Sequence, residues 1–172
     1  QIIDSVDIQR NCNGTGFITL YLSFTTQFIY WDTIDENGNS YQLPNNTIGD
    51  TILSVLGCGT YACTIYNQLG VVLDADTFYI DCPMKTDVRA HENILCFGDS
   101  TGMLKEVVSG GIPFNPDGIS NSGDEYYNYM WYKNGVTYLS GQNDTLLTNL
   151  STGLYVVNVT DASSCVFQPI DS

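Results

Sequence analysis

The chain has 172 residues, with 19 acidic against 5 basic side chains and a formal net charge of −14. That balance repels both phosphate backbones and anionic lipid, so neither nucleic acid nor direct membrane insertion is expected. Only 14% of residues are charged while 43% are hydrophobic, and the wealth of Tyr, Thr, Asn and Gly, strand and turn formers, predicts an all-β protein.

Cys12 and a Gly-rich turn ending at Gly16 lead into a strand predicted over 17–24. There Ile18, Leu20, Leu22 and Phe24 alternate with Thr19, Tyr21 and Ser23, so the even-numbered face is expected to be buried. An aromatic strand, Phe28-Ile-Tyr-Trp31, precedes a tight turn at Asn37-Gly38, where Asn-Gly tolerates positive φ. The run Leu53-Ser-Val-Leu-Gly-Cys-Gly-Thr-Tyr61 then opens an alternating strand to Tyr66 and a turn at 67–70.

The same order of signals returns. Cys96-Phe-Gly-Asp-Ser-Thr-Gly102 precedes a strand over 103–108, and Tyr126-Tyr-Asn-Tyr-Met-Trp-Tyr132 precedes Asn134-Gly135. Leu147-Thr-Asn-Leu-Ser-Thr-Gly-Leu-Tyr155 matches 53–61 without a gap and opens a strand to Thr160 and a turn at 161–164. The predicted fold is therefore two tandem immunoglobulin-like β-sandwich modules, 1–82 and 83–172, each of roughly 80–90 residues and about seven strands. The joint at Cys82-Pro83 has no Gly/Ser run and is expected to be short and stiff. Glu106 interrupts the inward face between Leu104 and Val108, which predicts either a register slip or an open edge there.

The second module resembles the SprB-repeat family of giant Bacteroidetes surface adhesins. The matching segments are Cys96 to Gly102, Val107-Val-Ser-Gly-Gly-Ile-Pro113, Tyr127 to Trp131, Leu150 to Tyr155, and Val159-Thr-Asp-Ala-Ser-Ser-Cys165. An insertion near 115–125 departs from the pattern, and the first module is a degenerate relative lacking the Gly-Gly-x-Pro turn. The resemblance implies type IX secretion and an extracellular, cell-surface role in adhesion, gliding or spacing, without catalytic residues. It also implies O-glycans at Asp-Ser/Thr followed by a small or aliphatic residue. Such motifs place the acceptors at Ser5, Thr33, Thr51, Ser100 and Thr145. N-linked sequons at Asn13, Asn45, Asn143, Asn149 and Asn158 are what an Asn- and Thr-rich chain produces by chance.

Six cysteines with no CxxC pair and one histidine, His91, fit a disulfide framework in an oxidising compartment better than a zinc or redox site. If bridges stay inside modules, Cys96 pairs with Cys165, and Cys12, Cys58, Cys63 and Cys82 allow three pairings. Cys58–Cys82 with Cys12–Cys63 is the favoured one, because the turn at 67–70 folds Cys82 back toward Cys58. No signal-peptide pattern precedes Gln1, and no apolar run reaches the roughly 18–20 residues of a spanning helix, so the chain reads as a mature, soluble portion of an exported protein.

Trp31 and Trp131 suit either a sugar-stacking platform or the space between sheets, and core packing is the expected role. Tyr61 and Tyr155, each at the start of a strand after a Gly, are expected to be tyrosine corners. Asp35-Glu-Asn-Gly-Asn39 begins like a calcium loop, but Ser40 follows where Gly is needed and no Glu closes it. The insertion offers Asp117, Asn121, Asp124 and Glu125 without a recognised spacing, and solvated turns explain both loops. No cofactor is expected beyond that weak calcium signal. With one His, no phosphate loop and no HExxH, no enzyme is expected. The chain reads as a structural and adhesive segment of a long surface fibre, whose partners are surface glycans, proteins or copies of itself. The alternative is a carbohydrate-binding accessory region of a secreted enzyme.

Overall fold

The computed structural model describes residues 2–23, 28–43, 51–94, 96, 98–119 and 122–169. Phe24, Asn45, Phe97 and Asn121, all singled out above, lie outside the described residues, as does Asp50, which precedes the acceptor Thr51. The chain divides into two compact units, Gln1–Pro83 and Met84–Ser172, one residue beyond the predicted boundary. No helix occurs among the described residues, and no helix is long and apolar enough to cross a membrane.

In the first unit, β1 (Ile3–Arg10), β2 (Gly16–Leu22) and β5 (Ile52–Leu56) form one sheet in the order β1-β2-β5. The facing sheet has the order β4-β3-β6-β7, from β3 (Phe28–Ile34), β4 (Ser40–Gln42), β6 (Gly59–Tyr66) and β7 (Val72–Ile80). The second unit repeats this strand for strand. β8 (Lys85–Glu92), β9 (Gly102–Ser109) and β12 (Leu146–Leu150) make the three-stranded sheet. β10 (Asn128–Lys133), β11 (Val136–Gln142), β13 (Tyr155–Thr160) and β14 (Val166–Phe167) make the four-stranded one, in the order β11-β10-β13-β14. Each unit is thus a seven-stranded immunoglobulin-like sandwich, and all its strand pairs are antiparallel.

Period-2 alternation drives this packing: one face of each strand goes to the core and the other to solvent. In β2, Ile18 and Leu20 are buried, on the predicted even-numbered face; in β6, Tyr61, Cys63 and Ile65 are. They meet Ile29, Trp31, Phe78 and Ile80 in the first core. The second core gathers Met84, Val108, Tyr129, Trp131, Leu147, Leu150, Val157 and Val159.

At Glu106 the structure rules out the open edge, since β9 is the central strand of its sheet, and places the register shift in the partner strand β8, so that Glu106 stays on the inward face at 3% exposure. A bulge between Thr86 and Val88 supplies the reason. Its extra residue brings both Thr86 and Arg89 onto the face of Glu106. Thr86 Oγ1 donates to Glu106 at 2.8 Å and Arg89 Nε at 2.7 Å, so the carboxylate enters the core already paired.

Candidate functional site

The two tryptophans sit at matching places in β3 and β10, inside the sandwiches, at 0% and 3% exposure. Trp131 Nε1 donates to the carbonyl of Asp144 at 2.7 Å, and Trp31 lies 6.0 Å from Phe78, centroid to centroid. At those exposures neither forms a stacking platform on the surface. The tyrosines following them are corners in both units. Tyr61 Oη donates to Gly57 O at 2.8 Å and Tyr155 Oη to Ser151 O at 2.9 Å, each reaching four residues back. Burial pushes the Tyr61 hydroxyl above its usual range.

Four loops share one hydrogen-bond plan. The first residue's amide donates to the fifth residue's carbonyl and the fourth residue's amide to the first residue's carbonyl, in 11–15, 35–39, 67–71 and 161–165. The fourth position needs positive φ and is Gly14 (75°), Gly38 (81°), Gly70 (76°) or Ser164 (64°). This is a type I turn closed by a bulge, the three-residue hairpin connection. In the last three loops the first side chain also caps the turn. Asp35 Oδ1 accepts from the amides of Asn37 (2.9 Å) and Asn39 (2.8 Å), Asn67 Oδ1 from Leu69 (2.9 Å) and Val71 (3.0 Å), and Asp161 Oδ1 from Ser163 and Cys165 (both 3.0 Å).

In the calcium-like run the Asp35 carboxylate is thus engaged by the turn's own amides. Asp35 also accepts from Asn39 Nδ2 at 2.9 Å and Tyr41 Oη at 3.3 Å, and these bonds hold its carboxyl below the ordinary value of 3.8. In the insertion, Asp117 accepts from the Ile119 amide (2.8 Å), and Glu125 from the amides of Ser122 (3.1 Å) and Gly123 (2.9 Å). Asp124 accepts from Ser122 Oγ. A two-way backbone bridge and stacked rings, 5.0 Å apart, join Phe114 to Tyr126 and close the insertion at its base. Among the described residues no group of three or more His, Cys, Asp or Glu side chains converges.

The cysteines keep one of the predicted bridges and depart from the other two. Cys58 is bonded to Cys82, with Cα atoms 4.6 Å apart, where β5 runs into β6 and β7 ends. Cys12–Cys63 does not form: Cys63 is a free thiol, 1% exposed, directed from mid-β6 into the core, whereas Cys12 lies in the exposed β1–β2 turn. The inward parity of Cys63 in β6 keeps it away from a surface cysteine. Burial pushes its thiol up to about 11. Cys96–Cys165 does not form either. Cys96 is a free, exposed thiol ahead of β9 in one sheet, and Cys165 precedes β14 at the edge of the other. Cys12 and Cys165 are both disulfide-bonded.

Of the modification motifs, Ser5 and Ser100 are exposed, while Thr33, Thr51 and Thr145 are half-buried. Thr51 and Thr145 occupy one place in the repeat, their carbonyls accepting from the amides of Leu20 (2.8 Å) and Glu106 (2.9 Å).

Two features were not legible from sequence. Phe28, Tyr30 and Tyr66 line an open cleft of about 420 Å³ on the outer face of the first four-stranded sheet, with Asn67, Gln68 and Gly70 beside them. Tyr30 and Tyr66 stand edge to face, 5.4 Å apart. The cross-strand register that pairs Phe28 with Tyr66 and Tyr30 with Thr64 assembles it, and register is a tertiary property. The other is a cleft of about 610 Å³ in the second unit, walled by residues of both its sheets including Leu104, Trp131 and Tyr155.

No family model and no curated protein matches the chain. Among solved structures, it is similar to three consecutive immunoglobulin domains of titin in an E-to-A mutated variant. The two share 14% identity over 98% of this chain and 64% of that one, at a TM-score of 0.43. It is also similar to the first three fibronectin domains of chicken CNTN1, at 13% identity over 98% of this chain and 63% of that one, with a TM-score of 0.28. The chain spans just under two thirds of the length of each.

Proposed function

We propose that the chain is a non-catalytic, extracellular structural and adhesive segment, two repeats of a surface fibre of the SprB type. The observation that carries this reading is the repetition itself: one seven-strand topology, one tryptophan position and one tyrosine corner, each present twice. A module copied with its framework intact and its loops varied is how a spacer is lengthened. The acidic side chains of Asp35, Glu125 and Asp161 cap turns, and the Cys58–Cys82 bridge suits an oxidising exterior. Beads coated with the oxidised chain are expected to be retained under flow on cell-surface glycans or proteins more strongly than bare beads. Equal wash-off on every surface would remove the adhesive half of the reading and leave the spacer.

Ser5 and Ser100, exposed on their strand and loop, are the preferred acceptors in the O-glycan proposal. A native mass equal to that of the bare polypeptide would sink it. A second reading, carbohydrate recognition, is favoured by one observation, the exposed Tyr30–Tyr66 cleft with amide side chains beside it. Glycan-array binding that is lost in Tyr30→Ala with Tyr66→Ala would establish it.

A further inference from the structure

The first unit, Gln1–Pro83, carries nine acidic side chains and a single cation, Arg10. Arg10 is already paired with Asp81 at 2.6 Å. An anionic ligand is therefore repelled from this unit, and a cationic one is drawn to it.

That field meets an aromatic corner on the outer face of β3 and β6. Tyr30 and Tyr66 stand at 89° with centroids 5.4 Å apart, and Phe28, directly across the ladder from Tyr66, is the third ring of the 420 Å³ cleft. Asp32, half-buried and on the same face, lies about 7 Å along β3 from Tyr30. Among the described residues, no Lys, Arg or His lines the cleft. Asn67 commits its side-chain oxygen to the amides of Leu69 and Val71, which leaves its own amide group and Gln68 as the polar side-chain donors beside the rings. A neutral sugar would gain nothing from the acidic field.

The sandwich itself does not need these rings. Trp131 stands where Trp31 does and Val157 where Cys63 does, so the second unit has Asn128, Met130 and Thr160 in place of Phe28, Tyr30 and Tyr66.

We propose that Phe28, Tyr30 and Tyr66 form a box for a small quaternary ammonium ion of the choline class. The faces of aromatic rings carry negative potential, and perpendicular rings give one cation two walls. This goes beyond the fibre reading and is the rival of a sugar at the same cleft.

The test titrates choline chloride into the full oxidised chain at pH 7.5 and follows the ring protons of Tyr30 and Tyr66 by NMR. Saturable shifts are expected, and the uncharged isostere, with a tert-butyl group in place of trimethylammonium, should bind about tenfold more weakly. Tyr30→Met with Tyr66→Thr, which copies the second unit, should also lose about tenfold in affinity while the native near-ultraviolet circular dichroism is retained. Phosphocholine, whose phosphate meets the acidic field, should bind more weakly than choline. Absence of saturable shifts would overturn the proposal, as would equal binding of the isostere or by the variant. Tighter binding of phosphocholine would overturn it too, because the field of the unit would then not select the ligand. Shifts with methyl galactoside but not with choline would give the cleft to a sugar.

Discussion

Leu20 and Glu106 occupy one position in the repeat, each buried at 3%, and each donates its backbone amide to the carbonyl of the equivalent threonine. Across the ladder Leu20 faces Val6, and Glu106 faces Arg89. One fold thus tolerates an apolar pair or an ion pair at the same core site, provided the carboxylate arrives with its donors. A buried ion pair is not by that fact stabilising, since desolvation offsets most of the attraction, but breaking one leaves an uncompensated charge.

The largest effect is expected from breaking that pair. Glu106→Ala should destabilise the second unit by about 3 kcal/mol, the low end for a buried pair because Arg89 keeps 30% of its side-chain exposure. Copying the first unit, Arg89→Val with Glu106→Leu, should restore stability to within about 1 kcal/mol of the parent or exceed it. Denaturant unfolding followed by Trp131 fluorescence, with Trp31→Phe in the background, reads both. A double variant as unstable as the single would mean that the two sites are not interchangeable.

The disulfide sharpens the contrast from the other side. Removing it with Cys58→Ser and Cys82→Ser should cost the first unit about 3 kcal/mol, given the sequence separation of 24, and leave the second unit's transition in place. Differential scanning calorimetry would show one transition moving and the other fixed.

The capping residues come next. Asp161 is buried at 1% and accepts from the amides of Ile112, Ser163 and Cys165, whereas Asn67 caps an exposed turn. Asp161→Ala should therefore cost about 2–3 kcal/mol and Asn67→Ala about 1 kcal/mol or less. Equal losses would show that burial of the cap does not matter.

The smallest effect is chemical. Under native conditions at pH 8, a thiol reagent should titrate Cys96 quickly and Cys63 only after unfolding. Folding keeps the proton on Cys63, so its contribution to stability is whole below the ordinary value of 9.0 and is lost as pH rises toward about 11. Finding no free thiol would restore the bridges predicted from sequence.

Much of the fold was legible because its signals are local. Alternation at Ile18 and Leu20 marked a strand and its inward face, the gap-free match of 53–61 with 147–155 marked the repeat, and a Gly two residues before Tyr61 and Tyr155 marked the corners. The turn at 35–39 was located correctly, although its ligand-like carboxylate serves the turn itself. Glu106 was noticed as an exception, but its resolution was not legible. The bulge that gives it Thr86 and Arg89 depends on a strand 20 residues upstream.

The amino-acid order by itself determined the all-β class, the two modules, the core tryptophans and the tyrosine corners, since periodicity and turn chemistry act over a few residues. Tertiary structure alone decided that Cys63 and Cys96 stay free and how a charged residue is housed in a core. Each of these depends on the distance and facing of residues far apart in the chain, which spacing and parity do not encode.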